Sequence, residues 1–141
     1  MKKKVLVCGA TGFIGRNIAE YLAGRNDLEV YGVYLKSEPL KESRIKMIKA
    51  DLTDKNDVSR VVKGMDIIIQ AAATTSGSKD IVTKPYIHVT DNAIMNSLIF
   101  MSAYAHSVSH IVFFSCSVMY QPSNIPLKET DFNFLAVVSK S

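Results

Sequence analysis

Three evenly spaced glycines are the residues of this sequence best placed to do chemistry: Gly9, Gly12 and Gly15 in Val5-Leu6-Val7-Cys8-Gly9-Ala10-Thr11-Gly12-Phe13-Ile14-Gly15. An apolar stretch fit for a buried strand precedes them, and an amphipathic stretch fit for a helix follows. At such a joint Gly9 can make the tight turn off the strand. Gly12 lets the backbone come close to a pyrophosphate, and Gly15 lets the helix approach the sheet. The helix N-terminus adds free N–H groups and the positive end of its dipole. Thr11 is expected to cap that helix. The implied chemistry is the cradling of a dinucleotide's phosphates. A glycine-rich turn without a ligand is the competing reading, and the strand–turn–helix setting argues against it.

Which dinucleotide depends on the end of the second strand, where an Asp or Glu ordinarily binds the ribose hydroxyls of NAD. Here the residues are Val33-Tyr34-Leu35-Lys36-Ser37, with no acid until Glu38. Lys36 can pair with a 2′-phosphate, so NADP is expected over NAD; a solvated surface lysine is the alternative. The two cysteines, Cys8 and Cys116, make no disulfide framework, and no Cys/His spacing suggests a metal.

These residues need elements to hold them. Lys4–Cys8, Glu29–Leu35, Ile45–Lys49, Asp66–Gln70 and Ile111–Phe114 read as strands, and Phe13–Ala23, Asp54–Lys63 and Asp91–Ser107 as helices. Thr74–Lys84 reads as a polar loop. The run Ile67-Ile68-Ile69 suits a central parallel strand. Strand–helix alternation predicts an α/β fold with a doubly wound parallel sheet of five strands in order 3-2-1-4-5. In that order the fourth strand separates Cys8 from Cys116. Two strand spacings are about 9.6 Å, beyond the roughly 7 Å Cα limit for a bridge, so both read as inert thiols. In the first helix Ile14, Ile18, Tyr21 and Leu22 are expected inward. The long helix shows two apolar faces, Ile94, Leu98, Met101 and Ala105, and Met95, Ile99, Phe100 and Tyr104. The second face is covered either by a neighbouring loop or by a second copy in a homodimer through residues 91–107.

The 141 residues suit one globular domain, with 48% apolar and 21% charged residues. No run suits a membrane span. The apolar stretch after Met1-Lys2-Lys3-Lys4 ends at Gly9, too soon for a signal peptide. A reducing cytoplasmic location is expected. Net charge is +4, but the lysines are scattered, which favours small anions over nucleic acid as partners.

Taken with Asp51-Leu52, Ala71-Ala72-Ala73 and Phe114-Ser115-Cys116-Ser117-Val118-Met119-Tyr120, the glycine motif resembles the extended short-chain dehydrogenase/reductases, the NAD(P)-dependent nucleotide-sugar epimerases, dehydratases and reductases. The resemblance runs to about Asn133, with some likeness to GDP-fucose synthase. It implies a Rossmann domain over residues 1–133 and an atypical tail over 134–141. It also implies that Phe13 and Ile14 lie over the pyrophosphate and that Asp51 and Leu52 meet the adenine. Ala71, Ala72 and Ala73 would let the cofactor pass the fourth strand, and Asn92 would support the site. Asp51 as a mere helix cap, and the alanines as mere packing, are the plainer readings. The family's catalytic serine position is Cys116, flanked by Ser115 and Ser117, so Cys116 and Ser117 are the candidates there. Its Tyr-x-x-x-Lys is missing: four residues before Lys140 stands Ala136. The expectation is the cofactor half of such an enzyme, truncated and inactive as this chain. A non-catalytic dinucleotide-binding or redox-sensing module is the alternative, and a cofactor-free interaction subunit a third.

Overall fold

The computed structural model describes residues 1–74, 83–115 and 120–133. Cys116 and Ser117, most of the 74–84 loop and the 134–141 tail lie outside them.

The elements alternate as their patterning requires. β1 (Lys3–Cys8) leads to α1 (Phe13–Ala23), β2 (Leu28–Tyr34), β3 (Ile45–Lys49), α2 (Lys55–Val62), β4 (Ile67–Gln70), α3 (Pro85–Ala105) and β5 (His110–Phe113), and a 3-10 turn follows at Glu129–Asp131. The five strands form one sheet in order β3-β2-β1-β4-β5, and every pairing is parallel. This is the Rossmann-like arrangement the sequence predicts. The strand order reverses where β1 meets β4, with Cys8 opposite Gln70. All carboxyl ends therefore open on one edge, and in open parallel sheets of this kind such a reversal is where ligands ordinarily bind.

Alternation along β1 divides the core into two layers. Leu6 and Cys8 join Val33, Ile68, the valines of α2 and Met95, Ile99 and Ala103 of α3 on one side. Val5 and Val7 join Ala19, Val30, Ile45 and Ile69 on the other, under α1. On that second side Val112 and Phe114 stay exposed, because no described element covers β5 there.

Helix faces differ from the periodic reading. α1 buries Gly15 and Ala19 and half-buries Ile18 and Leu22, while Ile14 and Tyr21 face solvent. The core accepts the small residues because α1 lies close upon β1. α3 begins at Pro85, six residues before the expected Asp91; a proline suits a first position, where the missing N–H has no helical partner. Its two expected faces are each split. Met95 and Ile99 enter the core with Ser102 and Ala103, whereas Phe100, Tyr104, Ile94 and Met101 remain exposed. The packing of α3 on α2 and β4 selects this face, which periodicity alone does not do. Asp54, and not Asp51, caps α2: its carboxylate accepts the N–H groups of Asn56 and Asp57, both at 2.9 Å.

Candidate functional site

The glycine turn is built from backbone contacts. Gly9 has φ +72°, a conformation that side chains resist. A Cβ there would also meet Ala72 Cα at 2.7 Å, so the turn lies directly on the segment leaving β4. A Cβ on Gly15 would sit 2.2 Å from Gly9 O. Gly15 thus lets α1 settle on the Gly9 turn itself, a closer contact than the sheet approach expected of it. Gly12 differs: its Cβ would meet only Gly9 O, at 3.3 Å. The missing side chain at Gly12 therefore keeps space open outside the protein rather than relieving a clash within it.

The N-cap of α1 is Gly12, with extended φ −76° and ψ 165°, and no side chain caps the helix. Thr11 is not the cap, because a bond from Gly12 N–H to Gly9 O (2.9 Å) closes a turn over residues 9–12 before the helix begins. The first-turn amides are left without a side-chain acceptor, as an anion at that end requires. Phe13 (88% exposed) and Ile14 (49%) stand beside this end, out of the core. These features fit the phosphates of a dinucleotide: a sharp turn, an open glycine and an uncapped helix end.

Ala71, Ala72 and Ala73 follow β4 across the reversal point. Ala71 N–H donates to Cys8 O at 3.3 Å, which extends the β1–β4 ladder by one step. Asn92 holds the end of this segment from α3: its Oδ1 accepts Thr74 N–H at 2.9 Å and its Nδ2 donates to Thr74 O at 3.1 Å. Sequence reasoning assigned Asn92 but missed the amide beneath it. Gln70, only 1% exposed, donates from Nε2 to Ala72 O (3.1 Å) and to Asn96 Oδ1 (2.8 Å). A lone polar residue ending an all-isoleucine strand, and two asparagines four apart on one helix, were the available signals.

Beside the turn, Thr11 and Arg16 join Ser37, Glu38, Lys41 and others around a cavity of about 520 Å³. Arg16 Nε donates to Glu20 at 2.8 Å. The Arg44 guanidinium and backbone N–H hold the Glu42 carboxyl down at about 2. Lys36, exposed just past β2, does not line this cavity, whereas Glu38 does. Asp51 follows β3. Its Oδ1 accepts Thr53 N–H (2.9 Å) and Oγ1–H (2.7 Å), and its own N–H donates to Asp57. The Arg60 guanidinium, helped by that N–H, holds the Asp57 carboxyl below its usual range. Leu52 is buried under α2, which leaves Asp51 as the half-exposed member of the pair. Cys8 is fully buried, and desolvation pushes its thiol up to about 12, so it is protonated and inert. Among the described residues no group of His, Cys, Asp and Glu is arranged to hold a metal, and no helix is long and apolar enough to cross a membrane.

The profile of the NAD dependent epimerase/dehydratase family matches residues 5–136. The chain is 29% identical to the GDP-L-fucose synthase of Azorhizobium caulinodans over 92% of its own length and 38% of that protein's. It is 26% identical to the UDP-N-acetyl-alpha-D-glucosaminuronate decarboxylase of Bacillus cytotoxicus, over 99% of its own length and 44% of the relative's. Among solved structures, the UDP-glucose 4-epimerase of Bifidobacterium longum in complex with NAD+ and UDP superposes with a TM-score of 0.77 at 24% identity, covering 90% of this chain and 41% of that one. The chain thus spans less than half the length of these relatives.

Proposed function

Because the chain belongs to the NAD dependent epimerase/dehydratase family, we propose that it is the dinucleotide-binding part of an enzyme acting on a nucleotide-sugar. One observation carries this reading: the Gly9 turn lies on the backbone of Ala72 at the strand-order reversal, beside an uncapped helix end left open by Gly12. Gly9, Gly12 and Gly15 with the first turn of α1 would hold the pyrophosphate. Phe13 and Ile14 would flank it, Asp51 would meet the adenine with Leu52 packed beneath, and Ala71–Ala73 would let the cofactor cross β4. The nicotinamide, when bound, supplies a hydride donor and acceptor. This chain's own residues bind and orient it, and the Asn92 clamp on Thr74 keeps the crossing segment in place. In the sequence, Cys116 falls at the family's substrate-side serine position with Ser117 next to it, and one of the two would take that role.

NADP is the proposed cofactor. No acid ends β2, and Lys36, exposed just past it, is the cation offered to a 2′-phosphate. The exposed apolar row of α3, Ile94, Phe100, Met101 and Tyr104, is proposed as a homodimer surface. A cytoplasmic location is proposed with it.

The test is direct titration. The reduced nicotinamide absorbs at longer wavelength than any side chain of the protein, so its own emission reports binding without protein background. Saturable enhancement with NADPH, weaker with NADH, is expected. Flat titrations with both would refute the reading.

A further inference from the structure

Gln70 is the last residue of β4 and, among the described residues, the one polar side chain of the largest fully buried ones. Its amide brackets a single residue: Nε2 donates to Ala72 O at 3.1 Å, and Oε1 accepts Ala72 N–H at 3.4 Å. The amide's own orientation is fixed from α3, where Asn96 Oδ1 accepts Nε2–H at 2.8 Å and Met95 Sδ lies at 3.3 Å. Ala72 is the residue against which the Gly9 turn rests, at distances that leave no room for a Cβ. A chain of contacts thus runs from Asn96 through Gln70 and Ala72 to Gly9.

A buried amide is costly unless its partners are met, and an apolar residue would fill the same space more cheaply. The arrangement accordingly does more than pack. It sets one peptide unit on each side of Ala72, and with it the floor of the phosphate turn. One turn away, Asn92 repeats the device on Thr74, so α3 fixes both ends of the crossing segment.

We propose that Asn96 and Gln70 are positioning residues for the dinucleotide, setting the Ala72 backbone against the Gly9 turn so that the phosphate cradle is formed before the ligand arrives. The proposal rests on the dinucleotide reading. Pre-formation lowers the ordering cost of binding, so its loss appears as weaker affinity in a chain that is still folded.

The experiment compares dissociation constants for NADPH and NADH, by nicotinamide emission, in the wild type, Asn96→Leu, Asn96→Asp and Gln70→Met. Thermal unfolding and amide exchange at Ala72 are measured alongside. Asn96→Leu removes the acceptor at similar volume and should weaken binding about tenfold, the worth of one hydrogen bond at the upper end of its range. Ala72 N–H should exchange faster in the same variant. Asn96→Asp keeps an acceptor for Gln70 Nε2–H and should restore both readings, a rescue that a general loss of packing does not produce. Gln70→Met keeps the length of the side chain and decides the matter if Asn96→Leu does not fold. Wild-type affinity in Asn96→Leu, or in Gln70→Met should Asn96→Leu not fold, overturns the positioning role, as does Asn96→Asp as impaired as Asn96→Leu. No binding by the wild type overturns the dinucleotide reading and this role with it.

Discussion

Alanine at Gly12 and alanine at Gly15 should separate binding from folding, although both add one methyl to the same turn. At Gly12 the backbone is in ordinary extended conformation, and the new Cβ meets one atom, Gly9 O, at 3.3 Å. A shift of a few tenths of an ångström accommodates it. The reduced freedom of the unfolded chain offsets that strain by about 0.4–1 kcal/mol, so stability should stay within roughly 1 kcal/mol of wild type. The methyl nevertheless stands in the space a phosphate needs. Losing one charge-assisted hydrogen bond costs about 1.5–3 kcal/mol, or roughly tenfold to a hundredfold in affinity; Gly12→Val should abolish binding altogether. At Gly15 the added Cβ would lie 2.2 Å from Gly9 O and 2.8 Å from Gly9 C, both backbone atoms that no rotamer change can move. Either α1 lifts or the turn shifts, at about 1–3 kcal/mol or more, which lowers Tm by several degrees at roughly 2–4 °C per kcal/mol. Circular dichroism melts and nicotinamide emission read the two effects on the same samples. Wild-type affinity in Gly12→Ala, or an unchanged melt in Gly15→Ala, would show that the roles assigned to these glycines are wrong.

Lys36→Glu should reverse the preference for NADPH over NADH in the same titration; a wild type that binds NADH more tightly removes the premise. In a Cys116→Ser background, Cys8 should resist iodoacetamide at pH 8 in the native state and react fully in denaturant, since burial holds its thiol near 12; native labelling at the free-thiol rate would contradict its burial. Met101→Glu, on the exposed side of α3, should shift sedimentation towards monomer without loss of helicity, and a wild type monomeric at high concentration would exclude the dimer surface.

Strand positions were legible because buried parallel strands are apolar without interruption, as in Val5–Cys8 and Ile67–Ile69. The glycine turn was legible because only Gly tolerates what Gly9 and Gly15 undergo. Inward faces were less so. Ile14 lies in the right phase of α1 but in its first turn, past the edge of the sheet, and phase does not report where a sheet ends. α3 carries apolar residues nearly all round, so the choice of Met95 and Ile99 over Ile94 and Met101 came from tertiary packing. The Thr11 cap failed because a helix that starts at Phe13 takes Gly12 as its N-cap, and the bond from Gly12 N–H to Gly9 O, invisible in residue types, puts Thr11 inside the preceding turn. Gln70 escaped notice because a polar strand end looks like the start of a loop until its burial is known.

The all-parallel sheet also dictates an order of assembly. No strand can pair with its successor through a hairpin, and the bond that seats β1 beside the start of β4, Lys4 N–H to Asp66, joins residues 62 positions apart. Closing so long a loop delays contact between the two strands. Until β4 arrives, Gly9 has no Ala72 to rest on. A nascent chain emerging from the ribosome therefore displays its complete glycine signature long before it has a crevice, and cofactor capture can begin only once the centre of the sheet has closed.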